Sequence, residues 1–335
     1  MKARISAVSY YLPNGELSNE DISKEFPEWT VDKISLKTGI RNRHIAGPEE
    51  FSSDLAVNAA EMLFSEHSID RTSIEYVILC TQSPDYFLPS TACIVQHRLA
   101  LRKDIGATDI TLGCSGYVYA LGLAKGLIES GQTENVLVMT SDTYSKFLNP
   151  RDKSVRTIFG DGASASLITG DAEDESIYAI TYGTDGSGAK NLIVPSGGLR
   201  LGQTLSPRAA ASERRLEPSG YDLFMDGPEI FNFSIRVVPE TVERILRRAE
   251  LEQDEIDLFV FHQANQFMLE HLRKRLDVPS EKFFISLENS GNTVSSTIPI
   301  ALAEAVSAGI LRPGMRVMLL GFGVGLSWGG LIVRW

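Results

Sequence analysis

GCSGYVYALGLAKGLIESG (113–131) and GNTVSSTIPIALAEAVSAG (291–309) share one layout: a small-residue turn, a helix-length apolar run, and a closing glycine. A helix that is apolar on every side has no face to offer water and has to lie between other layers. Helices are predicted over 117–129 and 297–308, and both belong inside the molecule. Two sheets enclosing them would give a layered α/β architecture. Cys114 and Asn292 hold the same place in the two turns.

The duplication extends outward from this pair. SIEYVILCTQSPD (73–85) and EIDLFVFHQANQ (255–266) each combine an acidic start, a β-rich apolar run and polar turn residues, the pattern of a buried strand ending in a turn. FGDGASASLI (159–168) is matched by FGVGLSWGGLI (322–332), a glycine-rich turn before a strand. The offset differs between the pairs, so the repeat has drifted. The expected organisation is an N-terminal half, 1–170, carrying the nucleophile, and a C-terminal half, 171–335, carrying His and Asn. The acidic stretch DAEDES (171–176) marks the seam. Residues 183–220, rich in Gly, Ser, Pro and Arg, read as a long excursion over one face. Strands alternating with helices favour a largely parallel sheet in each half.

The chain has 335 residues, 43% of them hydrophobic, which exceeds one compact core but suits two half-domains. Lys and Arg number 32 against 43 Asp and Glu, a net charge of −11. That balance argues against nucleic acid or an anionic membrane as partner, and any anionic ligand has to find a local basic patch. Cys80, Cys93 and Cys114 are the only cysteines and show no CxxC spacing, so neither a disulfide framework nor a cysteine-rich zinc site is indicated. MKARISAVSYYLP reaches a proline before any signal-type apolar stretch. No apolar run approaches the roughly 18 residues of a membrane span. The expectation is a cytoplasmic protein with reduced thiols and no membrane contact.

Cys114 follows the strand-like ATDITLG and opens a helix, where unpaired N–H groups and the positive helix end favour a thiolate. That is where a nucleophilic cysteine belongs; the alternative is a small buried core residue. His262 ends the apolar DLFVF and begins HQAN, at the C-terminal edge of a strand where α/β proteins place their sites, or else it caps a turn. Asn292, taken alone, is an ordinary turn residue. The three together are far more specific than any one.

On TGIRNRHI (38–45), DITLGCSGYVYAL (109–121), FGDGASASLI, FVFHQAN (259–265), GNTVSSTIPIAL (291–302) and GFGVGLSWGG (321–330), the whole chain resembles the 3-oxoacyl-acyl carrier protein synthase III family of ketosynthases. The resemblance implies a thiolase-like fold, two pseudo-repeated α/β halves forming an αβαβα layered sandwich. It implies an acyltransferase of fatty acid biosynthesis with a catalytic triad of Cys114, His262 and Asn292 and an oxyanion hole from the N–H groups of Cys114 and Val324. The reaction implied is a decarboxylative Claisen condensation of an acyl-CoA starter with malonyl-acyl carrier protein. No metal or redox cofactor is expected, CoA thioester being a substrate, and a homodimer is.

The resemblance also implies binding residues. Trp29 would stack on adenine, and an insertion between it and Thr38-Gly39 adds Lys33 and Lys37 as candidates. Lys153, where the family has an arginine, and Arg156 would meet the phosphates; lysine keeps the charge but loses the planar fork. Gly227, Phe231, Ala264 and Asn265 would line the pantetheine tunnel. Leu88 stands where some members place a Phe that reaches toward the partner subunit's acyl pocket, so longer or branched starters are expected to fit. Arg273, Lys274 and Arg275 are candidates for carrier-protein docking, against the plainer reading of a solvated helix face.

Departures narrow the choice. A biosynthetic thiolase would be expected to carry a second catalytic cysteine late in the chain, yet none follows Cys114. Elongating ketosynthases resemble a Cys-His-His arrangement, whereas position 292 is Asn. The alternatives kept are a type III polyketide synthase-like condensing enzyme of secondary metabolism and a thiolase-fold acyltransferase that does not condense. The glycine-rich turns lack GxGxxG with a downstream acid, which argues against a dehydrogenase.

Overall fold

Alternating apolar and small residues build two sheets, and the apolar helices pack between them. The computed structural model describes residues 1–199 and 220–335. The first half runs β1 (Arg4–Tyr11), β2 (Gly15–Ser18), α1 (Asn19–Glu25), α2 (Val31–Thr38), β3 (Asn42–Ile45), α3 (Ser52–Glu66), β4 (Tyr76–Cys80), α4 (Thr91–Arg98), β5 (Gly106–Ile110), α5 (Gly116–Glu129), β6 (Asn135–Asp142), α6 (Lys153–Arg156) and β7 (Gly162–Thr169). The second runs β8 (Ile177–Thr184), β9 (Leu192–Ile193), β10 (Phe224–Met225), α7 (Gly227–Ala249), β11 (Leu258–Phe261), α8 (Gln266–Arg275), α9 (Thr297–Ser307), β12 (Arg316–Gly323) and β13 (Ser327–Arg334).

The sheets have orders β1-β7-β6-β4-β5 and β11-β12-β13-β8. Read from β8, the second repeats the first: two antiparallel pairings, then a parallel one. A parallel bridge from Phe259 to Phe283 stands where β4 meets β5 in the first sheet. Helices α5 and α9 lie between the sheets, while α3 and α4 cover one outer face and α7 and α8 the other. The result is the five-layer αβαβα sandwich of the thiolase-like fold.

The expectation of largely parallel sheets is corrected: β1–β7, β6–β7, β12–β13 and β8–β13 are all antiparallel. For β12–β13 the reason is the length of the connection. A parallel neighbour needs a long crossover, but β12 returns as β13 after only Val324–Leu326. Residues 170–176, which contain the acidic stretch, carry the chain from β7 to β8. The long excursion expected over 183–220 lies mostly outside the described residues; its described flanks include the short ribbon β9–β10.

Candidate active site

Cys114 lies two residues ahead of the helix it introduces. Ser115 is the cap of α5 and Gly116 its first residue. The loop is pressed against β12 so closely that only glycine fits beneath it. A methyl on Gly321 would stand 2.5 Å from the Cys114 carbonyl oxygen, and one on Gly323 would stand 2.8 Å from Cys114 Sγ. This approach brings the N–H groups of Cys114 and Val324 onto the sulfur. They do not make it a thiolate at rest. Burial, with the Asp142 carboxylate adding to it, pushes the thiol up to about 12 against those N–H groups. The N–H groups favour the thiolate as the sequence suggests, but desolvation is the larger effect on the free thiol.

His262 directly follows β11, its N–H bonded to the Leu320 carbonyl at 2.8 Å. The ring stands edge-on to Phe322, centroids 5.6 Å apart, and Nδ1 lies 2.7 Å from Thr297 Oγ1. Burial holds its pKa down to about 3, so the imidazole is neutral. Asn292 is fixed through its backbone to the strand of loop at Ile158–Gly160: its N–H donates to the Ile158 carbonyl (2.9 Å), and its carbonyl accepts from Gly160 (3.1 Å). Its Oδ1 accepts from the Val294 N–H at 2.9 Å, which turns the amide nitrogen toward the Ala264 carbonyl, 3.4 Å away. The loops at 113–115, 262–265, 292–297 and 323–324 thus meet at one place.

Several supporting residues were not singled out from the sequence. Arg43 is fully buried, its guanidinium donating to the Thr157 carbonyl and to Asn19 Oδ1. Its side chain backs Gly160 and Gly291 beside Asn292. Asp142 accepts from the N–H of Gln82 (2.8 Å) and from Ser295, and burial raises it to about 7. Tyr144, buried in the cluster that holds Cys114, donates to Gln82 Oε1 at 2.7 Å. The signal available for Arg43 was an arginine in a strand-like NRHI.

The candidate CoA residues gather at α1, α2 and α6. Lys33 and Lys37 each stand 5.2 Å from the Trp29 ring centre and Lys153 stands 5.8 Å from it. Lys153 is ion-paired with Glu28 and Arg156 with Glu25. Gly227 is the first residue of α7, and Phe231 packs on Phe267 and His271 of α8 (5.8 and 5.2 Å). Ala264 is buried, and Asn265 caps α8 by accepting from the Met268 N–H. At the far end of α8, Arg273 is held by Glu270 and by the Val278 carbonyl, while Lys274 and Arg275 are exposed. Leu88 does not line this chain's own site; it is 86% exposed.

The five-layer fold with its repeated halves defines a thiolase-like protein, and a buried thiol facing two backbone N–H groups is an arrangement for acyl transfer. Two family models match: the 3-oxoacyl-[acyl-carrier-protein] synthase III model over residues 108–186, and its C-terminal counterpart over 246–335. A beta-ketoacyl-[acyl-carrier-protein] synthase III of Clostridioides difficile (strain 630) is 39% identical, with 100% of this chain and 98% of that one covered. A crystal structure of a 3-oxoacyl-(acyl-carrier-protein) synthase III superposes with TM-score 0.95 at 47% identity, both chains fully covered. The 3-oxoacyl-(acyl carrier protein) synthase III of Pseudomonas aeruginosa PAO1 gives 0.89 at 32%, covering 100% of this chain and 98% of that one. The chain belongs to the 3-oxoacyl-[acyl-carrier-protein] synthase III family. It is an acyltransferase, a ketosynthase that forms 3-oxoacyl-acyl carrier protein by condensation. The non-condensing and polyketide-type alternatives are not favoured.

Proposed function

We propose that the enzyme condenses an acyl-CoA starter with malonyl-acyl carrier protein in fatty acid biosynthesis, through an acyl-enzyme on Cys114. The observation that carries the assignment is the buried Cys114 pressed against Gly323, beside the Val324 N–H and the loop that carries Asn292. The sulfur attacks the thioester carbonyl carbon, and the carbonyl electron pair moves onto oxygen between the N–H groups of Cys114 and Val324. Collapse re-forms the carbonyl and breaks the carbon–sulfur bond to CoA, whose thiolate ends as CoA thiol with the proton lost by Cys114.

Malonyl-acyl carrier protein then enters with its thioester carbonyl toward His262 and Asn292. The C–C bond to carboxylate breaks, CO2 leaves, and the electron pair becomes an enolate held by hydrogen bonds from the imidazole and the amide. The enolate carbon attacks the acyl-cysteine carbonyl; the carbon–sulfur bond breaks, and cysteine departs as a thiolate that takes a proton from solvent. A neutral imidazole suits this role as donor, and the Val294 N–H supports it by holding the Asn292 oxygen, which leaves the amide nitrogen as the free donor end. The scheme calls on no metal or redox cofactor.

Trp29 with Lys33, Lys153 and Arg156 serves the nucleotide end of CoA, and Gly227, Phe231, Ala264 and Asn265 the pantetheine arm. Lys274 and Arg275 are the better docking candidates for an acidic carrier protein, since Arg273 is already engaged. The working form is a cytoplasmic homodimer; no described helix is long and apolar enough to cross a membrane. Intact-mass spectrometry after mixing with acyl-CoA tests the assignment: an acyl-sized gain, absent in Cys114→Ala, is expected. No adduct with any starter would overturn it. Asn292→Asp is expected to acylate normally and to lose malonyl decarboxylation.

A further inference from the structure

Neutral His262 can donate to a developing enolate only if its proton is on Nε2, and that tautomer requires Nδ1 to be an acceptor. What faces Nδ1 is therefore decisive. The group there is the hydroxyl of Thr297, first residue of α9, at 2.7 Å. That hydroxyl has one proton and two acceptors in reach, because the Val294 carbonyl lies 3.1 Å away. If the proton went to Val294, Thr297 would accept from Nδ1–H and leave Nε2 bare, useless as a donor.

The distances favour His262, 2.7 Å to Nδ1 against 3.1 Å to the Val294 carbonyl. This β-branched residue sits at φ 57°, in the left-handed region that such residues rarely adopt. The conformation points its N–H at Asn292 Oδ1 while its carbonyl stays at the longer distance from Thr297. Its side chain is fully buried, and Val294 Cγ1 would be only 3.1 Å from a methyl on Gly113, beside the nucleophile. One residue thus orients the amide of Asn292 directly and bears on the imidazole of His262 through Thr297.

We propose that Thr297 is a positioning residue: its hydroxyl donates to His262 Nδ1 and so fixes the Nε2–H tautomer that the decarboxylation step requires. The proposal rests on the role given to His262 above. During that step no proton leaves Thr297. Its O–H bond to Nδ1 persists while Nε2–H shortens its hydrogen bond to the forming enolate oxygen, and the carboxylate leaves as CO2.

The test compares Thr297→Val, which keeps the shape and removes the hydroxyl, with Thr297→Ser, which keeps the hydroxyl. Malonyl-acyl carrier protein decarboxylation is expected to fall about 100-fold in kcat in Thr297→Val, with KM and the acylation rate within a few-fold of wild type, and to recover in Thr297→Ser. A readout independent of turnover is the histidine nitrogen spectrum of enzyme labelled at its five histidines, with His262 assigned by its loss in His262→Ala. It should report the Nε2–H form in wild type and in Thr297→Ser, and a gain of Nδ1–H in Thr297→Val. An Nδ1–H resonance for His262 in wild type, or undiminished decarboxylation in a folded Thr297→Val, would overturn the proposal. Undiminished decarboxylation in His262→Ala would instead remove the role of His262 on which it rests.

Discussion

Gly323 lies directly beneath the side chain of Cys114, so that a methyl group on its α-carbon would be 2.8 Å from both Cβ and Sγ of the cysteine. Real Cβ contacts are not that short, so Gly323→Ala has to displace the thiol from the two N–H groups it faces. The loss should resemble removal of one oxyanion-hole donor, about 100-fold or more in the acylation rate. Time-resolved intact-mass measurement of the acyl-enzyme checks it. Gly321→Ala should behave differently, because its methyl meets the Cys114 carbonyl oxygen at 2.5 Å and Ser115 Cα at 2.7 Å, both backbone. Loss of folded protein on thermal unfolding is expected there. An active, stable Gly323→Ala enzyme would mean the loop tolerates a shift.

The ionisation of Cys114 gives a pH prediction. Only the thiolate alkylates rapidly, and burial with Asp142 nearby pushes this thiol up to about 12. The inactivation rate by iodoacetamide should therefore climb with pH, roughly tenfold per unit between pH 7 and pH 10, with no plateau near neutrality. A plateau beginning at pH 7 would show that the N–H groups of Cys114 and Val324 outweigh desolvation.

Legibility in the sequence followed the range of the interaction. The repeat, the buried helices, Cys114, His262 and Asn292 were all readable, because each depends on a local pattern or a place beside a strand end. The antiparallel strands β7 and β13 were not: β7 pairs with β1, far away in the chain, and β13 follows a three-residue turn that was read as glycine-rich without drawing the antiparallel return it imposes. Gly321 and Gly323 were read only as parts of a glycine-rich turn; their reason is the approach of Cys114, more than two hundred positions earlier in the chain. The burial of the thiol was not legible for the same cause. Its local helix end was visible, but the desolvation comes from sheets assembled across the whole chain.

The cations proposed for CoA are paired with acids. Lys153 pairs with Glu28 and Arg156 with Glu25, so phosphate has to displace one carboxylate for each cation it meets. Partly exposed pairs of this kind are worth about 0.2–1 kcal/mol, which limits the gain from breaking one to about fivefold in affinity. Glu28→Gln should lower KM for acyl-CoA by up to that factor and leave kcat alone. Trp29→Ala should raise KM, also at constant kcat. Steady-state kinetics at low and high salt checks both, the effect of Glu28→Gln fading as salt rises. A change confined to kcat would place these residues elsewhere in the mechanism.

Leu88 poses the last question, because its proposed pocket is not in its own chain. Tyr86, Phe87 and Leu88 are 62%, 77% and 86% exposed, a contiguous apolar run on the surface. Such runs mark contact sites more often than solvent, and a second copy is the occupant the family resemblance implies. Sedimentation at micromolar concentration should show a dimer, and Phe87→Asp should shift it toward monomer; a wild-type monomer would refute the homodimer. If Leu88 then reaches the partner's acyl pocket, its size sets the starter. Wild type should accept longer or branched acyl-CoA, and Leu88→Phe should shift the preference toward acetyl-CoA by about tenfold, the scale on which apolar pockets discriminate. Should acetyl-CoA be the sole starter used by wild type, or Leu88→Phe leave the preference unchanged, the exposed leucine would serve the dimer contact and not the choice of substrate.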